Sequence, residues 1–245
     1  MEIEKREIIR VRKLEKENVI DDIVVEKQLN IYINGNLFFR IMCFPVDIEP
    51  LIYGFFFSNG YIEKKDDIKN LKIIENNCMV EIEKKIEKNV LSLGSSCFSS
   101  FFHIEDIVEV KKGYFDIEKF DIIKIMKEFQ NMSQMYKKTG GVHSAGISDG
   151  DKVYFFSEDI GRHNAVDKVI GKAILNNFET KDKFLLTSGR ISSEIVFKAK
   201  RANFSSIISF SSPTSLSIEI AEKFKIILIG FARGERFNIY TGREN

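Results

Sequence analysis

Short alternating runs of apolar and polar residues fill the first part of the chain, and helical spacings take over after it. Val24-Val25-Glu26 and Leu29-Asn30-Ile31-Tyr32-Ile33 read as strands, followed by Asn34-Gly35 as a hairpin turn. A short helix is predicted after Asp47, ending at Gly60, and two or three further strands within residues 71–93. Cys97 then sits in a polar loop, Gly94-Ser95-Ser96-Cys97-Phe98-Ser99-Ser100. The spacing of Ile117, Phe120, Ile123, Met126 and Phe129 predicts one long amphipathic helix over 116–138, stopped by Gly140-Gly141. Beyond it the pattern becomes strand, helix, strand. Strands are predicted at 142–147, 152–156, 184–187, 206–210 and 226–231. Helices are predicted from Asn164 onward, at 192–200 and at 214–223. That rhythm belongs to an α/β class, α+β overall: a mixed or parallel sheet with flanking helices, joined to a smaller β-rich N-terminal part. No repeat or low-complexity linker interrupts the chain. The expected division is 1–110, ending past the Cys97 loop, and 111–245, within a single unit.

Composition narrows the class. Hydrophobic residues make up 44% and charged residues 30% of 245, which suits a folded globular protein rather than a disordered one. No apolar run reaches the roughly 18 residues that span a bilayer. The charged start, Met-Glu-Ile-Glu-Lys-Arg, lacks the apolar stretch of a secretory signal. A cytoplasmic protein without membrane attachment is expected. The net charge of +1 conceals an asymmetry: from Lys181 onward there are 11 Lys or Arg against 6 Asp or Glu, and before it 26 against 30. A basic C-terminal portion suits a polyanionic small ligand, and without interleaved aromatics it argues against nucleic acid.

Three cysteines, Cys43, Cys78 and Cys97, are too few and too scattered for a disulfide framework. With no C-x-x-C or H-x-x-x-H pair they do not seed a zinc site either. Cys43 and Cys78 stand among apolar residues and read as core. Cys97, in its Gly- and Ser-rich loop, is either incidental or reactive.

The polar residues concentrate where strands lead into helices, which is where α/β sheets bind ligands. Residues 157–164 crowd Glu158, Asp159, Arg162, His163 and Asn164 before an apolar-periodic helix. Asn164 is the expected N-cap, with Asp167 three residues on. Asp159 and Arg162 can simply pair and shape the turn. In Thr187-Ser188-Gly189-Arg190 the glycine lets backbone approach a ligand and the arginine offers a fork for phosphate. In the turn over 209–214, Ser212 is the expected cap and Pro213 the first helical residue.

These runs resemble the formate dehydrogenase accessory proteins of the FdhD type. The likeness is carried by Gly140-Gly141-Val142-His143-Ser144-Ala145-Gly146, by Glu158 to Gly171, by Ser188-Gly189-Arg190-Ile191-Ser192-Ser193-Glu194 and by Ser212-Pro213-Thr214-Ser215-Leu216. It continues in Gly230-Phe231-Ala232-Arg233 and Asn238-Ile239-Tyr240-Thr241, with Ile33-Asn34-Gly35, Pro45, Gly54-Phe55 and Gly60 upstream. The resemblance implies a cytidine deaminase-like C-terminal domain, a homodimer, and a sulfur carrier. Such a carrier receives persulfide sulfur from a cysteine desulfurase. It passes that sulfur to the molybdenum bis(molybdopterin guanine dinucleotide) cofactor before insertion into formate dehydrogenase. The cofactor is thus a bound client, and no resident metal is implied.

On that reading Cys97 carries the sulfur. Its thiol, ordinarily of pKa about 8.5, needs help from His103, Lys111 or an arginine to ionise. Gly189, Arg190, Ser212, Thr214 and the segment Phe231, Ala232, Arg233, Gly234, Glu235 and Arg236 bind the cofactor, with Arg233 and Arg236 on phosphates and Phe231 stacking or packing. Asp159, Arg162, His143 and His163 join them. The two histidines are either structural or proton donors to an oxygen leaving molybdenum. One departure stands out: the family carries C-x-x-C in the loop, and here Ser100 holds the second position. Asn59 also replaces the acidic residue usual before Gly60. The competing reading is a cofactor-binding chaperone without sulfur chemistry. A zinc deaminase is disfavoured, because His143 is followed by Ser144-Ala145 rather than by x-Glu and no cysteine pair exists.

Overall fold

A computed structural model of the chain describes residues 2–83 and 120–242. The Cys97 loop, His103, Lys111, the start of the expected long helix and the 110/111 division lie outside the described residues.

The N-terminal part begins with a ribbon of β1 (Ile3–Arg12) and β2 (Glu15–Val24), paired antiparallel along their full length. A second sheet follows from β3 (Lys27–Ile33) and β4 (Asn36–Cys43). The turn between them places Asn34 at φ 47° and Gly35 at φ 82°, the left-handed pair that a two-residue hairpin requires. Helix α1 (Ile48–Ser58) comes next, as expected after Asp47. Strands β5 (Ile68–Ile74) and β6 (Asn77–Ile82) then complete a four-stranded sheet of order β4-β3-β6-β5. Its inward side chains, Leu29, Ile31, Cys43, Cys78 and Val80, pack on Leu51, Ile52, Phe55 and Phe56 of α1.

The expected long helix is two helices, α2 (Ile122–Met132) and α3 (Gln134–Thr139), broken at Ser133. The break has a tertiary cause. The Ser133 hydroxyl bonds that of Ser144 at 2.7 Å, and the Glu158 carboxylate accepts the Met135 and Tyr136 amides at 3.1 and 3.0 Å, starting a fresh helix. Thr139 ends that helix before Gly140, at φ 66°.

The remainder builds a six-stranded mixed sheet. It contains β7 (His143–Ser148), β8 (Val153–Asp159), β9 (Phe184–Thr187), β10 (Ser206–Ser209), β11 (Ile227–Arg233) and β12 (Arg236–Ile239), in the order β12-β11-β10-β9-β7-β8. Helices α4 (Arg162–Leu175), α5 (Ser193–Arg201) and α6 (Ser215–Phe224) cover one face over Ile147, Leu185, Ile207 and Leu228. Helix α2 covers the other, setting Ile122, Ile125, Met126 and Phe129 on Phe184, Leu186, Ile208 and Ile229. The alternation of Phe184, Leu185 and Leu186 between two cores is the period-two geometry of a strand buried on both sides.

Two expected caps move. Gly161, not Asn164, is the N-cap of α4, which places Asn164 inside the first turn. Thr214, not Ser212, caps α6: its hydroxyl accepts the Ser217 amide while the Ser217 hydroxyl accepts the Thr214 amide.

Helix α4 is buried nearly all round because it is shared. One side faces the six-stranded sheet and another crosses α1 with backbones in contact. A Cβ on Gly54 would lie 1.7 Å from the Asp167 carbonyl oxygen, and one on Gly171 would lie 1.8 Å from that of Pro50. Only glycine admits this crossing, and the crossing ties the N-terminal core to the C-terminal sheet. The same seam holds two buried lysines. Lys168, with no exposed surface, pairs with Asp159 at 2.7 Å and donates to the carbonyls of Phe44 and Glu158. Lys198 grips both oxygens of Asp167 at 2.6 and 2.5 Å.

Candidate functional site

Strands β9, β10 and β11 are mutually parallel, while β7 runs antiparallel to both β9 and β8. Consequently β8, β9, β10 and β11 all end at one rim of the sheet, and the start of β7, His143, is inserted between the ends of β8 and β9. The three polar turns expected from the sequence therefore share one edge. Hydrogen bonds knit the second and third of them to each other and to β11. The Ser209 hydroxyl donates to the Gly189 carbonyl at 2.7 Å, the Ile191 amide to Ser212 O at 3.1 Å, the Thr214 amide to Ile191 O at 3.0 Å and the Phe231 amide to Ser211 O at 3.1 Å. Gly189 is required here, since a Cβ would fall 2.8 Å from that of Arg162.

Behind this rim, against the N-terminal part, opens a cleft of about 320 Å³. Its walls come from Arg40, Ile41 and Met42 of β4, Phe55 of α1 and Asn59 just past its end, His143, Ile160 and Gly161 before α4, residues 162–164 and 167 of α4, and Lys198 of α5. The positive end of α4 is set here without a side-chain cap, so the local field favours negative charge.

The site residues expected from the sequence fall into separate places. His143, Arg162 and His163 meet in the cleft. His143 Nδ1 lies 3.2 Å from the Ser188 hydroxyl, which also accepts the Ser144 amide at 2.9 Å. His163 Nε2 lies 2.9 Å from a Glu194 carboxylate oxygen and 3.3 Å from the Ser192 hydroxyl. Burial pushes the pKa of both histidines down. The Arg162 charge adds to this at His143, while at His163 the Glu194 bond opposes it. Arg162 is itself lowered, first by burial and then by the charge of Arg190, so two guanidiniums stand near one another at this edge.

Asp159 does not face a ligand and does not pair with Arg162. It has no exposed surface, and its carboxylate is filled by Lys168, the Asn164 side chain at 2.9 Å, the Gly161 amide at 2.9 Å and the Phe44 amide at 3.1 Å. It shapes the floor of the site from beneath. Gly189, Arg190, Ser212, Thr214 and 231–236 belong to the rim and contribute nothing to the cleft lining. Within that group Ala232 is fully buried, which removes its side chain from any ligand. Phe231, at φ 52°, sits in a bulge of β11 and packs partly, with the Arg233 guanidinium carbon 5.9 Å from its ring centre. Gly234, at φ 65°, turns the exposed hairpin formed by Arg233, Glu235 and Arg236.

Sequence reasoning passed over Arg40, Met42, Lys198, Asp167, Ser188 and Glu194. Asp167, Ser188 and Glu194 lie in runs that were singled out, and an acid four residues before a lysine on the helix expected over 192–200 was the available signal for Glu194 and Lys198. Cys43 and Cys78 are core residues as expected: both are fully buried, with thiols pushed up by burial to about 12 and about 11. Among the described residues no group of three or more His, Cys, Asp or Glu could hold a metal ion, and no helix is long and apolar enough to cross a membrane.

Comparison with known proteins agrees with the architecture. The chain is 36% identical over 232 residues to the sulfur carrier protein FdhD of Bacillus pumilus, covering 90% of this chain and 88% of that protein. It is 36% identical over 252 residues to that of Bacillus subtilis, covering 98% and 95%. The crystal structure of a candidate formate dehydrogenase accessory protein from Desulfotalea psychrophila superimposes with a TM-score of 0.79 over 97% of this chain and 96% of the other, at 24% identity. A sequence model of the FdhD/NarQ family matches residues 24–245, and the chain belongs to that family.

Proposed function

We propose that the protein is a sulfur carrier for formate dehydrogenase maturation. Cys97 takes persulfide sulfur from a cysteine desulfurase and passes it to the molybdenum bis(molybdopterin guanine dinucleotide) cofactor before that client enters the enzyme. Residues 1–110 present the cysteine and 111–245 hold the cofactor. The protein acts in the cytoplasm as a homodimer.

The observation that carries this reading is the state of the other two thiols. Relatives named as sulfur carriers are similar over nearly the whole chain. Of the three cysteines in the sequence, Cys43 and Cys78 are sealed in a core where the thiolate is disfavoured. A carrier needs a nucleophilic thiolate, so sulfur chemistry falls to Cys97. One nucleophilic sulfur suffices for a relay, and Ser100 excludes only a disulfide within the loop. Arg162, Arg190, Arg233 and Arg236 supply the cationic groups that phosphates of the client require.

The test is transfer of labelled sulfur from cysteine, through a desulfurase, onto the chain and then onto the cofactor. Wild type is expected to carry label to the client, and Cys97→Ala to carry none; undiminished transfer by Cys97→Ala would overturn the reading. Ser100 favours the second reading, a cofactor chaperone without sulfur chemistry, and that reading predicts client binding with no label on wild type.

A further inference from the structure

The two cleft histidines each have one ring nitrogen committed to the protein. His143 uses Nδ1 on Ser188, and His163 uses Nε2 on Glu194 and Ser192. Among the described residues, His143 Nε2 and His163 Nδ1 take no hydrogen bond. The carboxylate sets the tautomer of His163. A carboxylate oxygen only accepts, so the neutral ring carries its hydrogen on Nε2 and leaves a lone pair on Nδ1.

We propose that His163 and Glu194 form a base built into the cleft: Nδ1 of His163 takes the proton of a sulfhydryl-bearing ligand, and Glu194 is the positioning residue that keeps Nδ1 bare beforehand and balances the imidazolium afterwards. The identity of the ligand rests on the sulfur-carrier reading. In this step the S–H bond breaks and the Nδ1–H bond forms. The electron pair stays on sulfur, and the Nε2–H of the imidazolium donates to Glu194. No oxidant or reductant is involved.

The surroundings suit both ends of the transfer. Burial favours the neutral form of His163, a push that the Glu194 bond opposes and to which Lys198 and Arg162 add. Lys198 is matched by Asp167, and the guanidinium-bearing residues Arg40 and Arg162 also line the cleft where the sulfur anion forms. His143 is lowered first by its own burial and then by the charges of Arg162 and His163.

The chain contains only three histidines, so imidazole nitrogen NMR on the full-length protein reads each ring directly once His103→Gln and His143→Gln variants assign the signals. At pH 7 wild-type His163 is expected in the Nε2–H tautomer. Sodium hydrosulfide, part of which is undissociated hydrogen sulfide at that pH, is expected to convert it to the doubly protonated pattern, whereas sodium chloride at equal ionic strength does not. Glu194→Gln is expected to lose the single tautomer and to need at least tenfold more hydrosulfide for the same change. An Nδ1–H tautomer in wild type, or a ring indifferent to hydrosulfide, would overturn the inference, and both are read without any variant at position 194. A labelled Cys97 with an indifferent His163 overturns this inference and leaves the carrier reading standing. A responsive His163 in a chain that never acquires label supports the base and counts against the carrier reading.

Discussion

Two buried lysine–aspartate pairs meet helix α4 at adjacent residues, Asp167 and Lys168, and they differ in what lies beside them. Asp159–Lys168 is sealed, with no exposed surface on either side chain, and its remaining capacity goes to the backbone of Phe44, Glu158 and Gly161 and to the Asn164 side chain. Asp167–Lys198 has equally short contacts, but both residues line the cleft. The first pair joins the N-terminal sheet to the C-terminal one. The second balances the Lys198 charge on the cleft wall. Identical chemistry thus serves cohesion in one place and the field of a candidate site in the other, and solvent access alone separates the two roles.

Breaking the sealed pair gives the largest expected effect. Lys168→Met strands Asp159 in the interior and is expected to cost about 3–5 kcal/mol in chemical denaturation. Lys198→Met strands Asp167 beside a cleft that water can enter, so a smaller loss of about 1–3 kcal/mol is expected. That variant is also expected to weaken retention of anionic ligands. Equal losses from the two variants would erase the distinction. Gly54→Ala tests the seam that carries both pairs. Its Cβ must push α1 off α4, and overpacking of this kind costs about 1–3 kcal/mol in thermal or chemical melts. Thr214→Ala, at the rim and remote from both pairs, removes a cap and is expected to cost about 1 kcal/mol.

The smallest effect sharpens the comparison through pH. His143 and His163 have folded pKa values below the ordinary histidine value of 6.5. Above that value both states are neutral and the histidines contribute nothing. As pH falls through it the unfolded chain binds protons that the folded chain does not, so stability declines until the folded rings also protonate. A urea titration series is expected to show this decline in wild type and to show it flattened in His143→Gln.

How far the sequence could be read follows the same physics. Local patterns survived intact: Asn34-Gly35 turned the hairpin, the apolar stripe of α2 found its core, and the β-α rhythm placed three polar turns on one rim. Interactions between distant segments did not show. Ser133 interrupts a stripe that continues on both sides, because Glu158 from β8 accepts two amides there. Asn164 and Ser212 look like caps, but the chain caps elsewhere once tertiary bonds claim them. Lys168 carries no local sign of its burial, and only the fold reveals the carboxylate and carbonyls around it. The cleft draws on β4, α1 and α5 as well as the conspicuous motif, so half its wall carried no local signal.

The central claim is that sulfur rides on Cys97 alone. The most direct measurement is the intact mass of the full chain after reaction with a cysteine desulfurase and cysteine, compared among wild type, Cys97→Ala and the Cys43→Ala/Cys78→Ala double variant. A gain of one sulfur atom, reversed by a thiol reductant, is expected in wild type and the double variant and is expected to be missing in Cys97→Ala. A gain that persists in Cys97→Ala, or that disappears with the two buried cysteines, would contradict the account.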